Sequence, residues 1–213
     1  MLARVMRRAA RAKTLDTIVV ATTTDSCDDV LVTECSRLGI SCFRGSQEDV
    51  LDRYRSAAAA HAAEVIVRIT SDCPLIDPEV IDQVVSAWQN SSVDYISNGP
   101  TWPRGLNVEV FSRAALEQAW EQAHLPWQRS HVTPYLYQNP SLFRIGSVSA
   151  PGDYGHLRWT VDTPEDLALV RSLYKHLGNQ DGFGWREVLA TVEQNPNLLE
   201  INRDISQKPI EAG

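Results

Sequence analysis

The sequence predicts an α/β fold, with helices laid against a mainly parallel sheet in a single domain spanning residues 1–213. Three observations carry this reading. Strand-like and helix-like stretches alternate over roughly the first half of the chain, which is the pattern of βαβ units. Two of the strand-like runs, TIVVAT and VIVRIT, are apolar on both faces, as strands covered by helices on both sides must be. No repeat, low-complexity tract or flexible linker interrupts the pattern.

The elements follow in order. The opening MLARVMRRAARAKTLD places Leu2, Val5, Met6 and Ala9 on one helical face, so it reads as the first helix of the folded unit. Residues 17–22 are a strand. Residues 27–38 are a helix stopped by Gly39. Residues 40–43 are a short strand, and the alanine-dense 49–63 a helix. Residues 65–70 form a strand. Residues 78–88 form a helix with Asp77 as N-cap and Pro78 in its first turn. Residues 93–97 and 108–111 are strands, and 113–123 a helix. Residues 131–138 suggest another helix, interrupted at Pro134. Residues 142–149 alternate in polarity and suggest an antiparallel strand. Residues 156–161 are a strand, 163–177 a helix opened by Pro164, and 184–194 a last helix before a polar tail.

Composition narrows the function. The chain is 43% hydrophobic and 22% charged, ordinary for a globular protein, and no apolar run approaches the ~18 residues a membrane span needs. A formal net charge of −7 argues against a broad nucleic-acid footprint. Cys27, Cys35, Cys42 and Cys73 form no CxxC pair and read as small buried hydrophobes of a reducing, cytoplasmic compartment. Cys73 stands out only because it follows Asp72.

Two carboxylates are the candidate chemistry. In RITSDCPLIDPEVID an apolar strand ends at Asp72, and in RWTVDTPEDL another ends at Asp162. Each aspartate has a proline two residues on. Ligands of open α/β sheets bind beyond the carboxyl ends of the strands. If both strands lie in one sheet, the carboxylates converge there, and with waters and phosphate oxygens they make a magnesium site. Glu165 and Asp166 read as helix-dipole and capping residues. No Walker pattern and no GxGxxG occurs.

The stretches ATTTDSCDD, FRGSQEDVLDRY, VIVRITSDCPLIDPEVID, PRGLNVEVF, HVTPYLYQNP and RWTVDTPEDL together resemble the spore-coat polysaccharide biosynthesis cytidylyltransferases, relatives of the acylneuraminate and 3-deoxy-manno-octulosonate cytidylyltransferases. The resemblance covers nearly the whole chain, in order. It implies a Rossmann-like nucleotidyltransferase fold and transfer of CMP from CTP to an acidic or related sugar in surface polysaccharide synthesis, with magnesium. It implies Asp72 and Asp162 as metal ligands, Asp52 and Arg53 at the nucleotide, and Arg104, Asn107 and Glu109 toward the sugar; for His131 two readings stay open, a contact to substrate and a helix cap. A homodimer is the usual state of such relatives. The resemblance also implies a gap: family members begin with a strand and a basic ARxxSxRLPGK loop that grips the triphosphate, and Met1-Leu2 matches the start of the helix after that loop. The expectation is therefore an N-terminally truncated fold with impaired activity. Ser71 stands in place of a glycine, and Asn107 and Ser130 in place of acids. Two other readings remain open at this stage: a non-catalytic protein of the same fold, and a glycosyltransferase using a nucleotide-sugar donor, against which the absence of a DxD pair argues.

Overall fold

The computed structural model describes residues 1–210, and it has three layers: helices, sheet, helices. Six strands among the described residues carry the middle layer: β1 (Val19–Thr23), β2 (Ser41–Gly45), β3 (Val65–Arg68), β4 (Tyr95–Asn98), β5 (Glu109–Ser112) and β6 (Ile145–Val148). Nine α-helices among the described residues cover them: α1 (Leu2–Ala9), α2 (Asp29–Leu38), α3 (Val50–Ala60), α4 (Pro78–Gln89), α5 (Arg113–Gln122), α6 (Pro126–His131), α7 (Pro134–Gln138), α8 (Pro164–His176) and α9 (Trp185–Gln194).

The two faces of the sheet follow from side-chain alternation. On β4 and β5, Ile96 and Val110 enter one core with α1, α4, α8 and α9, while Tyr95 and Phe111 enter a second with α3, α5 and α7. Fully burying side chains of this size contributes ~1.5–3 kcal/mol each, so both helical layers are held chiefly by these strand residues and their neighbours.

The strands form two hydrogen-bonded sets. β1 pairs with β2 in parallel; the other set runs β3-β5-β4-β6. β5 is antiparallel to β3 and β4, and β4 is parallel to β6. The mixed sheet is thus parallel in half of its pairings rather than in most of them. Among the described residues no strand lies between β1 and β3.

Several elements differ from the sequence reading. Residues 142–149 were expected to pair antiparallel, but β6 is parallel to β4. The cause lies at Asp94, just before β4. Its carbonyl accepts from the Ser112 N–H at the end of β5, and its own N–H donates to the Arg144 carbonyl just ahead of β6. The excursion through α5, α6 and α7 therefore leaves the chain where β4 starts, and β6 departs in the same direction. The single helix expected over 131–138 is two, because Pro126 opens α6 and Val132 breaks the path at φ 74°. Residues 156–161 join no strand of the sheet; Arg158 makes an isolated parallel bridge with Arg104, which itself lies outside the strands. Part of the expected polar tail is a 3-10 turn, Pro196–Ile201, with Leu198 buried.

The basic first helix is docked, not free. Arg4 and Arg7 pair with Asp181 at 3.0 and 2.6 Å. Arg8 is fully buried, donates from Nε to the Ile76 carbonyl at 2.7 Å, and lies 4.2 Å from the Phe183 ring centre.

Candidate active site

Past β3 the chain turns at Thr70-Ser71-Asp72-Cys73. The Cys73 N–H donates to the Thr70 carbonyl at 3.3 Å. The Thr70 hydroxyl and the Cys73 thiol, the latter at 3.3 Å, both donate to Asp72 Oδ1. Burial, with Asp72 alongside, pushes the Cys73 thiol up to about 12, so it stays protonated and serves as a donor. The loop beyond is fastened from several sides: Tyr174 donates to the Pro74 carbonyl at 2.7 Å, and Arg8 holds Ile76. Asp77 accepts the Glu79 N–H at 2.7 Å, as an N-cap does, and also the Trp185 N–H at 2.5 Å.

The second carboxylate arrives along residues 157–161. Arg104 N–H donates to the Leu157 carbonyl at 2.9 Å, and Trp159 N–H returns to the Arg104 carbonyl at 2.7 Å. This close approach requires Gly105: its φ is +104°, and a Cβ there would lie 2.5 Å from the Trp159 carbonyl carbon. Val161 N–H then donates to the Asp72 carbonyl at 2.9 Å, and the Thr160 hydroxyl reaches the same oxygen at 3.3 Å. Asp162 is the next residue, so the structure brings the two aspartates to neighbouring positions.

Asp162 is oriented by Arg158, which donates to its Oδ2 at 2.6 Å. The same guanidinium binds the fully buried Asp166 at 2.8 and 2.9 Å. Asp166 also accepts from Asn202 and from the Asp162 and Thr163 N–H groups. Burial alone would raise its pKa; the hydrogen bonds from Arg158, Asn202 and the Asp162 backbone outweigh it and hold the carboxyl down at about 2. Asp166 is thus the buried anchor of the turn that presents Asp162, in addition to closing a capping box with Thr163.

These bonds leave Asp72 Oδ2 and Asp162 Oδ1 without a hydrogen-bond partner among the described residues. No cluster of three or more His, Cys, Asp or Glu suited to a metal occurs there either. Two carboxylates suit a hard cation that keeps several waters and shares substrate phosphates, and magnesium is such a cation. The donor set fits that ion and not a closed, all-protein cage.

A second polar cluster surrounds Glu109 on β5. Its carboxylate pairs with Arg68, its register partner on β3. It also accepts from the Tyr95 and Thr133 hydroxyls, each at 2.6 Å. Burial opposes the Arg68 charge, and Glu109 more than restores it; burial next to Glu109 pushes the Tyr95 hydroxyl far up. Thr133 is aimed by a strained γ-turn at Val132, φ 74° and ψ −59°, closed by its own N–H on the His131 carbonyl at 2.9 Å. His131 keeps a buried Nε2 with no hydrogen-bond partner among the described residues.

The remaining expected residues divide. Arg53 donates to the Ser46 carbonyl at 2.7 Å and lines a cavity together with Arg68, Thr70 and Ser71. Asp52, one residue earlier on α3, accepts the Trp120 indole N–H at 2.8 Å and so ties α3 to α5. Asn107 accepts the Gly105 N–H at 2.9 Å and shapes the turn, and Arg104 is exposed above it. The sequence reading missed Arg158, Asp166 and Asn202 as one unit. The usable signal was an arginine four residues before Asp162 and eight before Asp166.

With this geometry in place, the comparisons are informative. The family model described as cytidylyltransferase matches residues 1–196. The chain belongs to the cytidylyltransferase family. This member is 40% identical over 207 residues to an uncharacterised protein of Methanocaldococcus jannaschii, covering 95% of the chain and 84% of that protein. It is 33% identical over 200 residues to the spore coat polysaccharide biosynthesis protein SpsF of Bacillus subtilis, covering 91% and 82%. A solved cytidylyltransferase of Leptospira borgpetersenii superposes with a TM-score of 0.90 at 28% identity, over 98% of this chain and 87% of that one. The Rossmann-like nucleotidyltransferase fold expected from the sequence is the fold observed. No helix among the described residues is long and apolar enough to cross a membrane.

Proposed function

We propose that this cytidylyltransferase catalyses transfer of CMP from CTP to an acidic or related sugar of a surface polysaccharide, with release of pyrophosphate and with magnesium as the cofactor. The observation that supports it best is the backbone bond from Val161 to Asp72, which brings the chain entering Asp162 against Asp72 just beyond β3, each aspartate keeping one carboxylate oxygen without a hydrogen-bond partner among the described residues. Bound there, the ion would neutralise phosphate charge as a sugar hydroxyl attacks the α-phosphorus. The chain's own residues supply positioning. Thr70 and Cys73 fix Asp72; Arg158 and Asp166 fix Asp162; Arg68, Tyr95 and Thr133 fix Glu109 toward the sugar side. No protein nucleophile is needed, because phosphoryl transfer of this kind is mostly orientation and electrostatics. In this reading the protein works in the cytoplasm, as a homodimer, on small substrates.

In the family resembled, a basic triphosphate-gripping loop precedes the helix that Met1-Leu2 matches, and the reading includes weak turnover by the 213-residue chain as given. The test is pyrophosphate release with CTP, magnesium and a panel of acidic sugars, for this chain and for a version extended upstream. Turnover by the extended version that falls with Asp72→Asn or Asp162→Asn is expected. No turnover by either version with any sugar overturns the reading.

A further inference from the structure

We propose that Gln207, on the segment that follows α9, is a positioning residue for the candidate ion site: by accepting from Arg158 Nη1 it stops that guanidinium from closing on both oxygens of Asp162, and so keeps Asp162 Oδ1 open. The role rests on the ion proposed above for Asp72 and Asp162, and it adds to that site a residue remote from both in sequence.

Arg158 carries its donors in a fixed planar fork with two usable faces. The side face, Nε and Nη2, is filled by Asp166: Nε donates to its Oδ1 at 2.9 Å and Nη2 to its Oδ2 at 2.8 Å. This is the bidentate pairing that a guanidinium and a carboxylate favour. The end face, Nη1 and Nη2, is not filled in that way, although a second carboxylate stands at it. Asp162 takes only Nη2, through Oδ2 at 2.6 Å, while Nη1 donates to Gln207 Oε1 at 2.8 Å. An exposed aspartate with a free oxygen beside such a fork would gain a second charge-assisted bond by turning onto both donors. The Gln207 carbonyl oxygen competes for Nη1, and being neutral it does so without bringing a third negative charge to the guanidinium. An Asp162 bound at both oxygens would present no uncommitted oxygen to a cation.

The segment is built to reach Arg158. After the 3-10 turn Pro196–Ile201, which buries Leu198, Asn202 is buried as well. Its Nδ2 donates to the Arg158 carbonyl at 3.1 Å and to Asp166 Oδ1 at 2.8 Å. The Ile205 N–H then donates to the Asn202 carbonyl at 3.0 Å, closing a turn just ahead of Gln207. The segment therefore holds Arg158 twice, by its carbonyl through Asn202 and by its guanidinium through Gln207. Folding does not depend on the second contact, because Gln207 is exposed and substitutions at such positions change stability little.

Three variants of the 213-residue chain test this: Gln207→Leu, which removes the acceptor; Gln207→Glu, which keeps one; and Asp162→Asn. The readouts are crystal structures and the binding of manganese(II), followed by the electron paramagnetic resonance of the free ion, which stands in for magnesium at carboxylate sites. In Gln207→Leu, Arg158 should close on both Asp162 oxygens and manganese should bind roughly tenfold more weakly. Its melting temperature should stay within ~2 °C of the wild type. Gln207→Glu should restore the one-oxygen geometry and the affinity, which a merely structural role would not require. An Asp162 Oδ1 still open in Gln207→Leu overturns the proposal, as does manganese affinity equal to wild type, or a Gln207→Glu no better than Gln207→Leu. A wild type and an Asp162→Asn that respond identically to manganese overturn the ion reading and take this role with it. The two failures are told apart by the Gln207→Leu structure, whose geometry is read without any metal.

Discussion

The Arg158 guanidinium holds the exposed Asp162 and the buried Asp166 at once, at 2.6 Å and 2.8 Å. One side chain thereby links an exposed carboxylate to one that faces the core. Because Asp166 is fully buried, replacing Arg158 with methionine leaves an uncompensated charge, and we expect a loss of ~3 kcal/mol. Urea melts of the wild type and Arg158→Met check this. A change under about 1 kcal/mol would show that Asn202 and the backbone suffice.

The same carboxyl makes stability pH-dependent. Its folded pKa, about 2, is below the ~3.9 of an unfolded aspartate. The stabilisation is therefore complete above pH ~4 and is lost as pH falls through the folded value. Melting temperature should drop between pH ~4 and ~2. Asp166→Asn should flatten that drop, at the cost of lower stability at pH 7.

Asp72→Asn and Asp162→Asn should behave differently from Arg158→Met. Each retains its shape and keeps most local hydrogen bonds, so melting should move little. Turnover in the pyrophosphate-release assay should fall by ~10²-fold or more, with the magnesium concentration for half activity rising. Wild-type rates in either variant would remove that aspartate from the ion site.

Gly105→Ala carries a steeper expectation. A Cβ would meet the backbone of Trp159 and Thr160 at 2.5 and 2.6 Å, and φ +104° is costly for alanine. Neither contact is a flexible side-chain end, so the 157–161 segment must shift and move Asp162 away from Asp72. Loss of ~2–3 kcal/mol is expected, together with activity. A variant as stable as wild type, measured by calorimetry, would show that the turn can re-form.

The legible parts of this protein were those governed by local chemistry. Strand-then-Asp-x-Pro marked both aspartates, and Asp77-Pro78 and Thr163-Pro164 marked helix starts. What stayed hidden depends on partners distant in sequence. Arg68 meets Glu109 only through the β3–β5 register. Asp52 and Arg53 are adjacent in sequence, yet one turns to Trp120 and the other to the cavity. The direction of β6 was set at Asp94, fifty residues before the Arg144 it binds. Residues 157–161 read as a strand because extended apolar backbone looks the same whether a ladder or a single glycine turn receives it.

The Asp72 loop has one further consequence, for synthesis. Its carbonyls and Asp77 are tied to Arg8 near the start of the chain and to Tyr174 and Trp185 near its end. Val161, which sets Asp162 beside Asp72, also comes late. A nascent chain emerging from the ribosome has Asp72 early, but the Val161 bond comes 89 residues later and the Tyr174 and Trp185 fastenings only after more than a hundred. Proteolytic clipping or premature termination within α8 or α9, remote from Asp72 in sequence, would therefore leave a polypeptide that carries the aspartate without the loop that aims it.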